Sequence, residues 1–422
     1  MSGPFRIVIA GGGIAGLSAA IALRGPNRQI TVLEQSSLCK EIRALISLQP
    51  NASKILQSNW DLKNELHNAR EMVDEGFRIH NTDGTLVNTI PLLAKPEYGS
   101  DRLLFHRKDL HDVLKDADVS PDREGGACHL AASIAGIVTL ETGERIKADS
   151  IIGADGIHSV LRKYVLGSEP CAMPTGHSGG LLKSYRLMIP SDILEGKEPQ
   201  FCAKINLRDP FTSMIVAHDC HMIIGPRRQG ECLMVSHVID LMIFWIIAAD
   251  HHRPMNEDPH AKQSWVSKGD LEKMKKTFAN FPTWVTDIFK HSPDLGLWQL
   301  RDLDPLVTWH RGRVILIGDA THDMLPTQGQ GASQAIEDAE ALGAFFEDVT
   351  EAPPFHSLTE TLEDIFQSRY TRVSLIQAYS RQAAKPATDK GAKVVNMKPD
   401  EFMDYNCKYS GAKQWRLEQL AN

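Results

Sequence analysis

Two glycine clusters, almost the whole chain apart, hold the residues best suited to chemistry. Gly11-Gly-Gly-Ile-Ala-Gly16 follows the apolar run Phe5–Ala10, and Gly318-Asp-Ala-Thr-His-Asp-Met-Leu-Pro-Thr-Gln-Gly-Gln-Gly331 follows the apolar run 314–317. Each opens a helical pattern, over 14–24 and from about Ala332. Glycines at a strand-to-helix turn let the backbone bend tightly and approach a bound anion. The helix N-terminus adds free N–H groups and partial positive charge. Asp149-x-x-x-Gly153-Ala154-Asp155-Gly156-x-x-Ser159-x-x-Arg162 is a further loop of this kind, after a short apolar strand over 149–154. Each alone is a common turn. All three in this order repeat one mechanism for holding phosphates or sugar hydroxyls.

Glu34 ends the strand predicted over 29–33, about 20 residues after the first loop, where a carboxylate accepts hydrogen bonds from ribose hydroxyls and disfavours a 2′-phosphate. Gly11, Gly13, Gly16 and Glu34 therefore suit FAD or NAD rather than NADP. Anion sites so distant in sequence imply one extended cofactor gripped at both ends, for which FAD is the candidate. Gly329 and Gly331 allow an approach too close for any side chain. The helix from Ala332 would then aim its positive end at the N1–C2=O edge of a flavin, where negative charge gathers on reduction; an ordinary capped helix is the alternative reading.

These loops need a frame. The strand, helix and strand over 5–10, 14–24 and 29–33 form a βαβ unit, and Pro50 opens another helix. Residues 110–114 read as helix, and 130–140 with 145–147 as a hairpin turning at Thr142-Gly143. Short strands follow over 182–189, 201–207, 212–217, 221–225 and 231–238, then helices over 270–278 and 283–289. The chain is mostly helical to about Ala384, and the 385–422 tail reads as a docked helix or partly disordered. The expected fold is α/β: a Rossmann-like FAD-binding domain from 1–175 and 299–384, an antiparallel substrate sheet inserted over 176–298, and a helical C-terminal region ending in the 385–422 tail.

The bulk properties narrow the function. The 422 residues are 42% hydrophobic and 23% charged with a formal charge of −7, which argues against nucleic acid or an anionic membrane as partner. Seven dispersed cysteines form no CxxC pair, pointing to a reduced cytoplasmic setting and no metal site. The apolar segment 241–249 is far short of the ~20 residues of a spanning helix.

With these motifs on the page, the chain resembles the single-component FAD-dependent aromatic hydroxylases, in the salicylate-hydroxylase-like branch common in fungal secondary metabolism. The first glycine loop, Glu34, His106-Arg107-x-x-Leu110, Gly153–Gly156 and 318–331 match that family in order over roughly residues 5–385. The resemblance implies that Glu34 binds the adenosine ribose, Arg107 contacts the flavin linker, Asp155 lies in a nucleotide-facing loop, and Asp319 binds ribityl or pyrophosphate groups. Pro326, Gly329, Gly331 and Ala332 would lie against the isoalloxazine. Glu41-Ile-Arg43-Ala44-Leu-Ile46 departs from the branch's usual glycine-bearing segment, and Arg43 with Ala44 serves flavin and nicotinamide or else Arg43 is a surface arginine. Asp323 replaces a usual proline and either orients a substrate group or is simply solvated. Tyr185-Arg186 matches a family pair in which the arginine faces the flavin and binds a substrate oxygen, unless it forms a salt bridge supporting the sheet.

The function implied is oxygen insertion from O₂ into an electron-rich aromatic, a phenol or indole of an alkaloid or polyketide pathway, with NAD(P)H as transient co-substrate. An oxidase or reductase without oxygen insertion, or a binding protein on the same fold, are the alternatives. Sequence leaves the oligomeric state undetermined.

Overall fold

The computed structural model describes residues 3–35, 45–92, 94–118, 131–133, 136–140, 142–168, 173–174, 183–217, 220–227, 232–239, 266–292, 295–383 and 395–421. Arg43, Ala44, the apolar segment 241–249 and the polar stretch 250–264 lie outside them.

Phe5–Ala10 is buried almost throughout and is an interior strand of a five-stranded sheet. It pairs in parallel with Arg28–Leu33 on one side and Ser150–Gly153 on the other, and Val314–Leu316 continues the parallel run. All three loops singled out in the sequence therefore leave the same edge of one sheet. Phe5–Ala10, Ser150–Gly153 and Val314–Leu316 are buried and read as apolar runs, which is why they were legible. The helices Ile14–Ala22 and Gly331–Phe345 pack against each other above this sheet, and Gly343 meets Ala22 so closely that a Cβ there would lie 2.8 Å from the Ala22 carbonyl oxygen.

A second, eight-stranded sheet runs in the order Val266–Lys268, Leu295–Gln299, Lys183–Pro190, Cys232–Ile239, Cys220–Arg227, Phe211–Val216, Gly76–Asn81 and Leu86–Pro91. Two of its strands come from 76–91, and Gly76–Asn81 pairs in parallel with Phe211–Val216. The sheet thus recruits chain from before the insertion, and it is mixed rather than wholly antiparallel. One face is covered by an aromatic core including Phe201, Phe278, Trp284 and Phe289.

The strand expected over 201–207 is corrected: Pro199–Cys202 is helical and turns follow. Phe201 and Ile205 are both buried, a four-residue spacing that suits a helical turn as well as the alternation first read, and Pro199 favours a first helical turn. The tail is docked. Pro399–Cys407 and Ala412–Ala421 are helices, and Tyr379 stacks on Phe402 with ring centroids 3.6 Å apart. No helix among the described residues is long and apolar enough to cross a membrane.

Candidate active site

The glycines of the first loop divide by what surrounds them. Gly11 has φ +112°, and a Cβ there would sit 2.2 Å from the Ala154 carbonyl oxygen; at Gly16 it would sit 1.9 Å from the Gly11 oxygen. These two are required by backbone contact. At Gly13, Gly156 and Gly331 a Cβ would meet nothing within 4 Å, so these three border open space. Two glycines that lock a turn and three that line an open rim form a cradle suited to a long phosphate-bearing ligand.

Other residues complete the rim. Glu34 accepts the Gly12 N–H at 2.7 Å, which draws its carboxylate onto the loop. His111 places Nε2 2.7 Å from the Gly12 carbonyl oxygen and pins the loop from below. Asp155 Oδ2 accepts the Val160 and Leu161 N–H groups at 2.8 and 3.2 Å, while its Oδ1 has no hydrogen-bond partner; burial pushes this carboxyl up. Asp319 and Pro326 have exposed side chains. The turn before Gly331 rests on the Leu45–Leu48 strand: Gly329 has φ +62°, and a Cβ there would lie 2.8 Å from Ser47 Oγ.

Sequence reasoning included Arg162 without giving it a role. Its buried guanidinium donates to the carbonyls of Ala320 (2.7 Å), Asp319 (2.9 Å), Ile157 (3.0 Å) and Gly156 (3.3 Å). One side chain thereby ties the second loop to the third. Burial lowers this arginine, and Asp155, Asp323 and Asp319 oppose the effect. Asp323 is buried and within electrostatic reach of Arg162, and its carbonyl accepts from Leu303 N–H and Gln377 Nε2. Its place is beside the nucleotide loops.

Behind the third loop lies a buried ionic network. Asp338 Oδ2 accepts the Gly318 N–H at 2.9 Å and lies 2.6 Å from His322 Nε2, and Arg369 Nε donates to Asp338 Oδ1 at 3.0 Å. Arg369 also pairs with Glu337, which accepts from Asn51 and from Arg372. Burial pushes the Asp338 carboxyl up, but His322, Arg369 and the Gly318 N–H together hold it down at about 2. A depressed carboxyl contributes stability above its unfolded value of 3.8 and loses it as pH falls toward the folded value. Asp338→Asn should therefore flatten the loss of stability between about pH 4 and pH 2, measured as melting temperature against pH. A wild-type acid profile in the variant would remove Asp338 from the acid response.

The second sheet turns one face toward this half of the molecule. Arg186, in the central Lys183–Pro190 strand, stacks its guanidinium over Trp298 at 4.4 Å and has no hydrogen-bond partner for Nε. Burial, and secondarily Arg107, lower its guanidinium to about 10. Arg107 opens the helix after Leu103–His106, so the face bearing Arg186 looks toward the nucleotide-binding half. Gly225, on the same face by register, confirms this: a Cβ there would lie 3.2 Å from Leu45 Cδ2.

Tyr185 falls on the other face. It is buried against Phe278, ring centroids 6.1 Å apart. Adjacent strand residues point to opposite sides, so Tyr185 and Arg186 cannot share a site, and the geometry assigns Tyr185 to the core. His221 was missed. By register it shares the face of Arg186, buried, with Nε2 unpartnered and its imidazole lowered to about 4 by burial. A histidine at the start of an alternating strand was the available signal.

Comparison with known proteins gives the family of the chain. The model of the FAD binding domain family matches residues 297–354. The FAD-dependent monooxygenase phomE' of Diaporthe leptostromiformis is 30% identical over 375 residues, covering 86% of this chain and 88% of that one. Hispidin-3-hydroxylase of Neonothopanus nambi is 26% identical over 394 residues, covering 89% and 88%. Among solved structures, CtdE in complex with FAD and substrate superposes with TM-score 0.77 at 20% identity, covering 99% and 98%. Klebsiella pneumoniae HpxO complexed with FAD and uric acid gives 0.72 at 21%, covering 92% and 90%. The two structures share the fold. With a relative 30% identical along most of both chains, the chain belongs to the FAD-dependent aromatic monooxygenases.

Proposed function

We propose that this enzyme uses NAD(P)H and O₂ to hydroxylate or epoxidise a phenol or indole ring, in the making of a fungal secondary metabolite. The reading rests most on Arg186, a buried cation stacked on Trp298 that faces the nucleotide-binding half with an unpartnered Nε. Arginine stays charged and offers a fork of donors, which suits a substrate oxygen or phenolate. Relatives act on comparable rings: a hispidin hydroxylase and a 6-hydroxynicotinate monooxygenase are among them.

The proposed holder of the FAD is the rim described above: Gly11, Gly13 and Gly16 at the pyrophosphate, Glu34 at the adenosine ribose, Arg107, Asp155 and Asp319 along the linker, and Pro326, Gly329, Gly331 and Ala332 at the ring. Bound and reduced, the flavin would supply activated oxygen. The chain's own part is to bind, orient and keep water out. The second sheet, including its strands from 76–91, is the proposed substrate wall. Arg186 would hold the ring's oxygen, and His221, neutral because buried, would accept a hydrogen bond from a ring hydroxyl at Nε2. Asp323 steers the substrate only indirectly, through the loops it adjoins. The test is to follow NAD(P)H oxidation by purified enzyme across phenols and indoles and quantify hydroxylated product. Oxidation without an oxygenated product from any electron-rich ring would overturn the substrate class.

Glu34→Ala removes an acceptor of ribose hydrogen bonds and the 2.7 Å bond that holds it to Gly12. A lost charge-assisted pair is worth on the order of 1.5–3 kcal/mol, so FAD affinity should fall roughly ten- to hundredfold, read by titrating FAD into apoenzyme. Unchanged affinity would move the ribose elsewhere.

A further inference from the structure

We propose that the turn over 408–412 is a clasp that positions the Gly331–Phe345 helix, with Glu340 its positioning residue, and so tunes the hold on the flavin from a distance. The inference rests on the placement of the flavin ring at Gly331 proposed above. Glu340 lies nine residues along the helix from Gly331, about 13 Å at 1.5 Å per residue, too far to touch a ligand at the helix N-terminus.

Its partners all belong to the tail. Glu340 Oε2 accepts from Tyr409 Oη at 2.8 Å and from the Ala412 N–H at 3.0 Å. Gly411, with φ +96°, brings the turn so close that a Cβ would lie 3.0 Å from Glu340 Oε1. One helical turn earlier, Glu337 is held by Arg372, whose guanidinium also donates to the carbonyls of Tyr405 (2.6 Å) and Asn406 (2.8 Å). Tyr409 lies under both Arg369 and Arg372, centroid distances 5.5 and 4.7 Å. The tail therefore grips the helix at two successive turns. On its other side the same helix is pinned through Asp338 to Gly318 and His322.

A helix is stiff along its axis, so a shift at Glu340 is carried to Gly331, where the first-turn N–H groups and partial positive charge would meet the flavin edge. An interaction of that kind is worth a modest amount and decays within the first turn, which makes it sensitive to small displacements. The acid at 340 is needed here for its acceptor oxygen: both of its donors meet a single oxygen atom, and glutamine offers one in the same place.

The experiment compares full-length Glu340→Ala, Glu340→Gln, Tyr409→Phe and Gly331→Val with wild type. FAD affinity, the midpoint potential of the bound flavin, and the melting temperatures of apo and holo protein are measured. Expected is a roughly two- to fivefold weaker hold on FAD in Glu340→Ala, the size of a helix-terminus interaction. The potential should move negative, and the holo protein should lose more melting temperature than the apo. Glu340→Gln should restore wild-type values. Equal losses of melting temperature in apo and holo protein, with unchanged FAD affinity and potential, would make the tail a mere prop and overturn the clasp. So would a Glu340→Gln variant as weak as Glu340→Ala. Should Glu340→Ala fail to fold, Tyr409→Phe, which removes a single hydroxyl, decides by the same readouts. A wild-type FAD affinity in Gly331→Val would overturn the flavin placement itself, and the clasp with it. Weak FAD binding in Gly331→Val beside wild-type binding in Glu340→Ala would overturn the clasp alone.

Discussion

Arg186→Ala is expected to lower the yield of oxygenated product on the order of 100-fold, the cost of a misplaced reacting group, while FAD stays bound. The guanidinium lies in a central strand, backed by Trp298 at 4.4 Å, on a sheet face separate from the aromatic core. Its removal costs that core nothing. What would be lost is the buried donor proposed to hold a substrate oxygen, and transfer of oxygen to a ring requires the ring held within a few ångströms. Reducing equivalents that miss the ring should appear as hydrogen peroxide, so product and peroxide per NAD(P)H are the measurements. Arg186→Lys should recover little, because an ammonium has neither the fork nor the flat face that stacks on indole. Wild-type coupling in Arg186→Ala would reduce the residue to a support of the sheet.

Arg369→Met should be the most destabilising single change in the nucleotide-binding half. The side chain is fully buried and pairs with both Glu337 and Asp338. Without it, two buried carboxylates keep only Arg372, His322 and neutral donors. Breaking a buried ion pair from one side costs about 3–5 kcal/mol, whereas replacing the whole group by apolar residues is often neutral. A fall in melting temperature and loss of FAD together are expected, because the network holds Gly318 through Asp338. Adding Asp338→Asn to the variant should recover part of the loss. A single variant that melts with wild type would show that the network contributes nothing net.

Local chemistry was legible because it is written in consecutive residues. Gly11 and Gly16, Gly156 in the Asp155–Gly156 turn, and Gly318 and Gly329 need special backbone conformations or close approaches, which glycine satisfies. The buried parallel strands announce themselves as apolar runs. The place of Glu34 beside the first loop was readable because its distance from that loop is set by one βαβ unit.

What lies between distant segments was decided by tertiary structure. Alternation says that Tyr185 and Arg186 face opposite ways, but which one meets the core depends on where Phe278 and Trp298 pack. That strands from 76–91 would join the second sheet follows from a parallel pairing no local pattern encodes. Arg369 and Arg372 read as ordinary charges on a long helix; only the packing of that helix on Gly331–Phe345 removes them from water and commits them to Glu337 and Asp338. The tail's weak pattern has the same cause: its order comes from Arg372 and Glu340, partners supplied by two other helices. Backbone requirements are a property of neighbours in sequence, while burial and the pairing of charges are properties of neighbours in space.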